Sequence, residues 1–191
     1  MMIRFSFLWP LFTLDFILHF SRALTFTFFP IYLSQTLQFN PLMTGYALGG
    51  SLVIATVAGV WCGVLIDRFT PQRSLFLAIL LSVVVYGLLT HVQHFIQVLV
   101  LLIMIEVAFT TMHLAVKSLL SGLLPADQRG AAFSVTYTLI NIAFCSAPIL
   151  GILASHYAVH APMWLSAGLS FSSLCILSLY YRRYDAHLQV N

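Results

Sequence analysis

Residues 95–120 read FIQVLVLLIMIEVAFTTMHLAVKSLL, and this stretch decides the class of fold. A transmembrane helix needs ~20 predominantly apolar residues, and this run is long enough although it contains Glu106, His113 and Lys117. Charged groups are costly in hydrocarbon and are retained where they face a bundle interior or a water-filled cavity. The stretch therefore predicts a membrane-spanning helix with one polar, functional face.

Similar apolar runs lie on both sides of this one. Turn-forming residues such as Asn40-Pro41, Thr70-Pro71 and Ala161-Pro162 separate them, so successive helices are joined by short connections and run antiparallel. The chain has 191 residues, of which 61% are hydrophobic and 7% charged, whereas soluble domains carry about 25% charged residues. We predict an all-α membrane protein, a single six-helix bundle over residues 1–191 with transmembrane helices at about 9–33, 44–66, 74–90, 95–120, 131–154 and 162–181.

The composition also argues against other kinds of partner. The formal net charge is +3 and the charged residues are scattered, whereas a nucleic-acid-binding surface clusters its Lys and Arg. Cys62, Cys145 and Cys175 lie in apolar stretches without Cys-x-x-Cys or Cys/His spacing, so neither disulfides nor a metal site is predicted. We expect no nucleic acid and no cofactor, and the lipid bilayer is the predicted surrounding.

The basic residues outside the spans predict the orientation, because Lys and Arg accumulate in cytoplasmic loops. The loops at 34–43, 91–94 and 155–161 contain neither residue type. The other side of the membrane collects Arg4, Arg68, Arg73, Arg129, Arg182 and Arg183. Both termini are therefore expected in the cytoplasm.

Ionisable side chains recur at helical spacing within the first and fourth spans. A spacing of three or four residues places side chains on one face of a helix. The positions are Asp15, His19 and Arg22 on the first helix, and Glu106, Thr110, His113 and Lys117 on the fourth. We interpret these stripes as a cavity wall that binds substrate or protons. The alternative is a set of static ion pairs that serve only insertion and packing.

The depths of these residues predict two ion pairs. The first helix runs outward and the fourth inward, so Arg22 and Glu106 should lie at similar depth near the middle of the membrane. Asp15 and Lys117 should lie together nearer the cytoplasm. Opposite charges are therefore expected to meet at both levels.

The second and fifth spans are rich in small residues. Gly45-x-x-x-Gly49 and Gly59-x-x-x-Gly63 predict close helix packing. The fifth span carries Tyr137 and Asn141 as further polar cavity candidates, followed by Ala143, Ala147, Pro148 and Gly151. Pro148 removes a backbone hydrogen bond and favours a kink, which would serve either a rocking motion or simple shape fitting. Polar, small-residue and uncharged spans thus recur in the same order, as in a 3+3 inverted repeat.

The loop GVLIDRFTPQR at 63–73 resembles the signature loop of the major facilitator superfamily, which reads approximately G-x-L-x-D-R-x-G-R-R/K. Gly63, Leu65, Asp67 and Arg68 match, Thr70 replaces the second Gly, and Arg73 remains of the basic residues.

Two further segments are similar to this family. Ala143-x-x-x-Ala147-Pro148-x-x-Gly151 looks like a relaxed form of the antiporter motif G-x-x-x-G-P-x-x-G-G, and Pro125 to Gly130 is similar to a P-x-x-x-R-G joint. Arg22 followed by Pro30-Ile-Tyr-Leu-Ser resembles bacterial exporters of dipeptides, sugars and drugs. The resemblance covers all six helices and is to the amino-terminal half of a drug/proton-antiporter-type exporter.

The resemblance implies a transporter of the bacterial inner membrane that exports a small molecule or drug in exchange for protons. Gly63, Asp67, Arg68 and Arg73 would form its conformational-switch loop, with helix 5 contributing Ala147, Pro148 and Gly151. Family members have twelve helices, and the Asp matched by Asp67 contacts the second half. The chain is therefore expected to be a half-length transporter that works as a parallel homodimer or with a separate second half, a truncated inactive remnant, or a non-transporting subunit.

A membrane enzyme is the rival class. A rhomboid-like protease needs a Ser nucleophile in a G-x-S-G setting and a His from another helix. Ser121-Gly122 follows Leu119-Leu120, so the first Gly of that setting is absent. We therefore predict that the chain is not an enzyme.

The orientation can be tested with reporter fusions. Because all the loop and terminal arginines lie on one predicted side, an alkaline phosphatase that is active only in the periplasm should be inactive when fused after Arg183. The same enzyme fused after His94 should be active. Strong phosphatase activity after Arg183 would overturn the orientation.

Overall fold

The computed structural model describes the backbone of residues 8–188 and the side chains of residues 8–181. Arg4 lies outside the described residues, as do the side chains of Arg182 and Arg183. The described chain forms six long helices: α1 (Trp9–Ile31), which continues as a π-helical turn (Tyr32–Thr36), α2 (Pro41–Phe69), α3 (Pro71–Leu89), α4 (Phe95–Leu123), α5 (Ala126–Tyr157) and α6 (Ala161–Leu188). All six are long and apolar enough to cross a membrane.

The helices extend further than the apolar runs from which they were predicted. α2 begins at Pro41, whose fixed φ suits the first helical position. The side chain of Asn40 caps this helix by accepting a hydrogen bond from the Met43 backbone N–H at 2.7 Å. Hydropathy marks only the part of a helix that suits hydrocarbon, whereas backbone hydrogen bonding continues into polar residues. For this reason α5 begins at Ala126 rather than near residue 131.

The helix packing is symmetric between the first and second three helices. α1 packs mainly on α5 and α6, α4 packs mainly on α2 and α3, and α3 also packs on α6. Exchanging α1 with α4, α2 with α5 and α3 with α6 leaves this set of pairs unchanged. The packing therefore agrees with the predicted 3+3 inverted repeat.

Burial differs strongly among the helices. More than half of the apolar segment of α1 is buried inside the bundle, whereas less than a quarter of α2 and of α5 is buried. Exposed side chains on α2 include Val57, Val60 and Trp61. α1 is therefore the central element, and most of the surface of α2 and of α5 lies outside the core of the bundle.

The predicted role of the α2 glycines is wrong at three of four positions. Only Gly59 faces a neighbouring helix closely, because a Cβ there would lie 3.4 Å from Thr110 Cγ2. At Gly45, Gly49 and Gly63, a Cβ would meet nothing within 4 Å among the described residues. α2 instead buries another face, which carries Ala47, Ser51, Ala55, Cys62 and Ile66. A spacing of small residues alone did not reveal which face packs.

Small residues are essential where α5 meets α1. Ala143 and Ala147 are fully buried, and a Cβ at Gly151 would lie only 2.8 Å from the Leu24 carbonyl oxygen. α5 remains helical through Pro148, from Ala126 to Tyr157. The face of α5 that carries Ala143, Ala147 and Gly151 is therefore the surface through which α5 approaches the central helix.

Substitution of Gly151 tests this contact. We expect Gly151→Ala to lower the free energy of unfolding of the purified chain by about 1–3 kcal/mol, because the added methyl group overlaps the α1 backbone. Unfolding in detergent, followed by circular dichroism, measures the effect. Gly49→Ala is the matched control, since its Cβ would enter open space. Equal loss of stability in both variants would contradict the assignment.

Candidate functional site

Arg22 and Glu106 form an ion pair between α1 and α4. Arg22 Nη2 lies 2.8 Å from Glu106 Oε2, and the two side chains are only 16% and 8% exposed. The guanidinium also lies over two aromatic rings, 4.9 Å from the centroid of Phe26 and 4.4 Å from that of Phe109, a favourable cation–π geometry. The structure thus confirms the contact that was predicted from the depths of the two residues.

The second predicted ion pair is not present. Asp15 Oδ1 lies 3.4 Å from His19 Nδ1, one helical turn along α1. Among the side chains that are described, no ion pair joins Asp15 to Lys117. Asp15 is only 2% exposed, whereas Lys117 is exposed. Similar depth did not bring the two charges together, because Asp15 faces the buried side of α1 and Lys117 lies on the open side of α4.

A cleft of about 780 Å³ lies between α1, α4 and α5. Four of the predicted site residues line it: His19, His113, Lys117 and Tyr137. The rest of the lining is aromatic, aliphatic and hydroxyl-bearing: Phe109, Phe133, Ser134, Thr136, Thr138, Ile140 and Phe144. Asn141 lies on a neighbouring shallow groove, which also includes Tyr137. His113 and Lys117 of the α4 stripe therefore share a concave surface with one face of α5, whereas Asp15, Arg22, Glu106 and Thr110 are not part of its lining.

Two predicted residues that line the cleft, His19 and His113, come together with a third predicted residue, Asp15. Potential ligand atoms of Asp15, His19 and His113 all lie within 4.8 Å of one another. The rings of His19 and His113 have centroids 5.3 Å apart and are nearly perpendicular. These are the residues that could hold a metal ion. In the sequence these residues lie on two separate stripes, and we predicted no metal site because helical spacing alone does not show that the stripes meet here.

Serine and threonine residues on the other side of α1 were not predicted as important. Ser21 Oγ donates to the Ser166 carbonyl at 3.1 Å, and Ser166 Oγ donates to the Ser21 carbonyl at 2.8 Å. Thr25 Oγ1 lies 3.2 Å from the Tyr86 hydroxyl. Such residues usually bond their own helix backbone, so their sequence positions gave no signal of contacts to α6 and α3.

The switch loop lies at the junction of α2 and α3. Asp67, Arg68 and Arg73 are exposed, and none forms an ion pair with another side chain in the described part of the chain. Thr70 has φ 76° and ψ 143°, a conformation that is strained for a β-branched residue and easy for glycine. The loop motif that this segment resembles has glycine at this position. The backbone conformation seen at Thr70 is a physical reason for that glycine.

Ser121 shows no catalytic arrangement. Its Oγ donates to the Lys117 carbonyl at 2.8 Å, within the same helix. No hydrogen bond to a histidine is found for it among the described side chains. The Ser121 hydroxyl is therefore bound to the backbone of its own helix.

Coupling between Arg22 and Glu106 is measurable. Removing one member of a buried pair strands the other charge and costs about 3–5 kcal/mol, less where water reaches the site. We expect Arg22→Gln and Glu106→Gln each to destabilise the chain, and the double variant to be less harmful than either single one. Lys117→Gln combined with Glu106→Gln is the control and should be additive. Additive effects for the Arg22 pair in detergent unfolding would contradict the coupling.

Comparison with known proteins places this arrangement in a family. The sequence model of the Major Facilitator Superfamily matches residues 11–190. The chain is also 27% identical over 162 residues to the uncharacterized MFS-type transporter YdeE of Escherichia coli (strain K12). That alignment covers 85% of this chain and 41% of YdeE, so the chain spans less than half the length of this relative. With the family match over nearly its whole length and six helices packed as two related triplets, the chain belongs to the Major Facilitator Superfamily of membrane transporters.

Proposed function

We propose that this chain forms one half of an exporter of small organic molecules, with its substrate cavity bounded on one side by α1, α4 and α5. The observation that carries the proposal is the cleft between these helices, lined by His19, His113, Lys117 and Tyr137. Ionisable residues within membrane-spanning helices mark substrate and proton pathways when they face a cavity.

The cleft has the size and lining that a small-molecule site requires. Its volume of about 780 Å³ falls within the ~300–1,000 Å³ typical of ligand pockets. Phe109, Phe133 and Phe144 supply apolar surface, and Lys117 and Tyr137 supply polar groups. An amphipathic organic molecule would bury its apolar part against the rings and place its polar groups near α4.

A second six-helix unit would complete the cavity. In transporters of this kind the substrate site lies near the middle of the membrane, between repeats that move against each other. The aligned part of the chain covers 41% of the length of YdeE, which supports a role as one such unit. The second wall would come from a separate half or from a second copy in parallel orientation. A chain without such a partner would be the inactive alternative.

The direction of transport is proposed from the helix 5 segment. Ala147-Pro148-x-x-Gly151 resembles the antiporter motif, and Gly151 lies against the backbone of α1 at Leu24. Motion of α5 would therefore be transmitted directly to the helix that carries the polar stripe. Export is the direction consistent with that motif.

Proton coupling is proposed at the Arg22–Glu106 pair. Protonation of Glu106 would remove one charge of the pair and free the Arg22 guanidinium. Two arrangements of the pair would then favour different states of the transporter, as coupling requires. A permanently ionised pair is the static alternative.

Drug accumulation in an efflux-deficient bacterium tests the function. We expect cells that express the chain alone to accumulate toxic compounds as much as cells with an empty vector do, because one wall does not enclose a substrate. Two copies joined by a flexible linker supply both walls and should restore export, which a protonophore or Glu106→Gln should abolish.

The cleft is tested separately in the joined protein. Tyr137→Ala should raise accumulation several-fold, whereas Tyr157→Ala, at a side chain that is 92% exposed and outside the cleft, should not. Equal export by the Tyr137→Ala variant and the unaltered joined protein would refute the cleft as the substrate site. Export by the unlinked chain that is lost in Asp67→Asn would show that two copies assemble unaided and would defeat the inactive alternative.

A further inference from the structure

We propose that Asp15, His19 and His113 together bind one divalent transition-metal ion, of the Zn²⁺ or Co²⁺ type, at the wall of the cleft. The inference goes beyond the proposed transport function, because metal binding by these side chains does not depend on whether the chain exports anything.

The three side chains come from two helices and converge without help from any loop. Asp15 and His19 are one turn apart on α1, and His113 reaches them from α4. All three potential ligand atoms lie within 4.8 Å of one another. Ligands of one tetrahedral Zn²⁺, at bond lengths of 2.0–2.2 Å, are about 3.3 Å apart, so a modest side-chain rotation would bring the set onto a single ion.

The buried carboxylate of Asp15 has an unused ligand atom. Asp15 is 2% exposed, and its Oδ2 is buried with no hydrogen-bond partner among the described residues. His113 Nδ1 is likewise buried without a partner. Unpaired buried polar atoms are rare because their desolvation is not compensated. A cation between the carboxylate and the imidazoles would compensate both.

His19 is oriented as a metal ligand would be. Its Nδ1 lies 2.8 Å from the Asp15 carbonyl oxygen, which can only accept a hydrogen bond, so the proton of the neutral ring is on Nδ1 and Nε2 carries the free lone pair. Metal-bound histidines commonly donate their other N–H to a backbone carbonyl, which fixes tautomer and ring position. The Asp15 carbonyl thus favours the tautomer in which Nε2 of His19 is available to a metal ion.

The donor set indicates the class of ion. Two imidazole nitrogens with one carboxylate oxygen suit Zn²⁺, Co²⁺, Ni²⁺ or Fe²⁺ better than Mg²⁺ or Ca²⁺, which prefer oxygen alone. Three protein ligands leave a fourth position for water or another molecule, and His19 and His113 line the open cleft. Lys117 lines the same cleft and opposes a cation, but it is exposed and its long side chain can carry the ammonium group away.

Titration of the purified full chain with Co²⁺ tests the site. The affinity tag is removed first, and binding is followed by the visible absorption of bound Co²⁺ at neutral pH, with Zn²⁺ as competitor. We expect one ion per chain and displacement by Zn²⁺. Asp15→Asn and His113→Asn should each weaken binding at least about tenfold. His156→Asn is the matched control, because His156 is exposed and lies outside the cluster.

The outcomes are decisive even if a variant does not fold. Circular dichroism and gel filtration identify misfolded variants, and the unaltered chain then decides by itself: X-ray absorption of its Zn²⁺ complex should show two imidazole ligands. Absence of Co²⁺ absorption in the folded, unaltered chain would overturn the site. Equal weakening by His156→Asn would assign the ion to the surface histidines. Because no step involves transport, failure of the proposed export would not affect the result.

Discussion

The pairing of Arg22 with Glu106 is the constraint on which the rest of the bundle depends. In hydrocarbon no water is available to solvate either charge, so each must find its partner inside the protein. The contact of 2.8 Å joins α1 to α4, which are the equivalent helices of the two triplets. These helices pack less extensively on each other than on α5 and α2. The ion pair therefore bridges the two repeats where apolar packing between them is sparse.

The other contacts of α1 differ from face to face, because each face packs against a different helix. Towards α6, Ser21 exchanges hydrogen bonds with Ser166 through side chain and backbone on both sides. Towards α4 and α5, His19 faces the cleft. Towards α5, α1 presents Leu24 to the bare backbone at Gly151. Each face of a central helix in a bilayer makes a different kind of contact, because each face meets a different partner and none meets bulk water.

The cleft is what relates this packing to transport. α2 and α5 bury little of their surface within the bundle, and the cleft brings His113 and Lys117 of α4 together with hydroxyl-bearing residues of α5. We propose above that this wall, which is open on one side, is half of a substrate cavity that a second unit would enclose. The exposed residues Asp67, Arg68 and Arg73 lie at one end of the same unit.

The sequence by itself determined the six spans, the two polar stripes and the depth match between Arg22 and Glu106, because apolar length and helical periodicity are local properties of the chain. Tertiary structure alone decided that Asp15 lies beside His19 and His113 rather than Lys117, that Gly151 but not Gly45, Gly49 or Gly63 meets a neighbouring helix, and that Ser21 bonds to Ser166. These contacts depend on the rotation of each helix about its axis. That rotation is set by packing against several neighbours at once, and no spacing within a single helix specifies it.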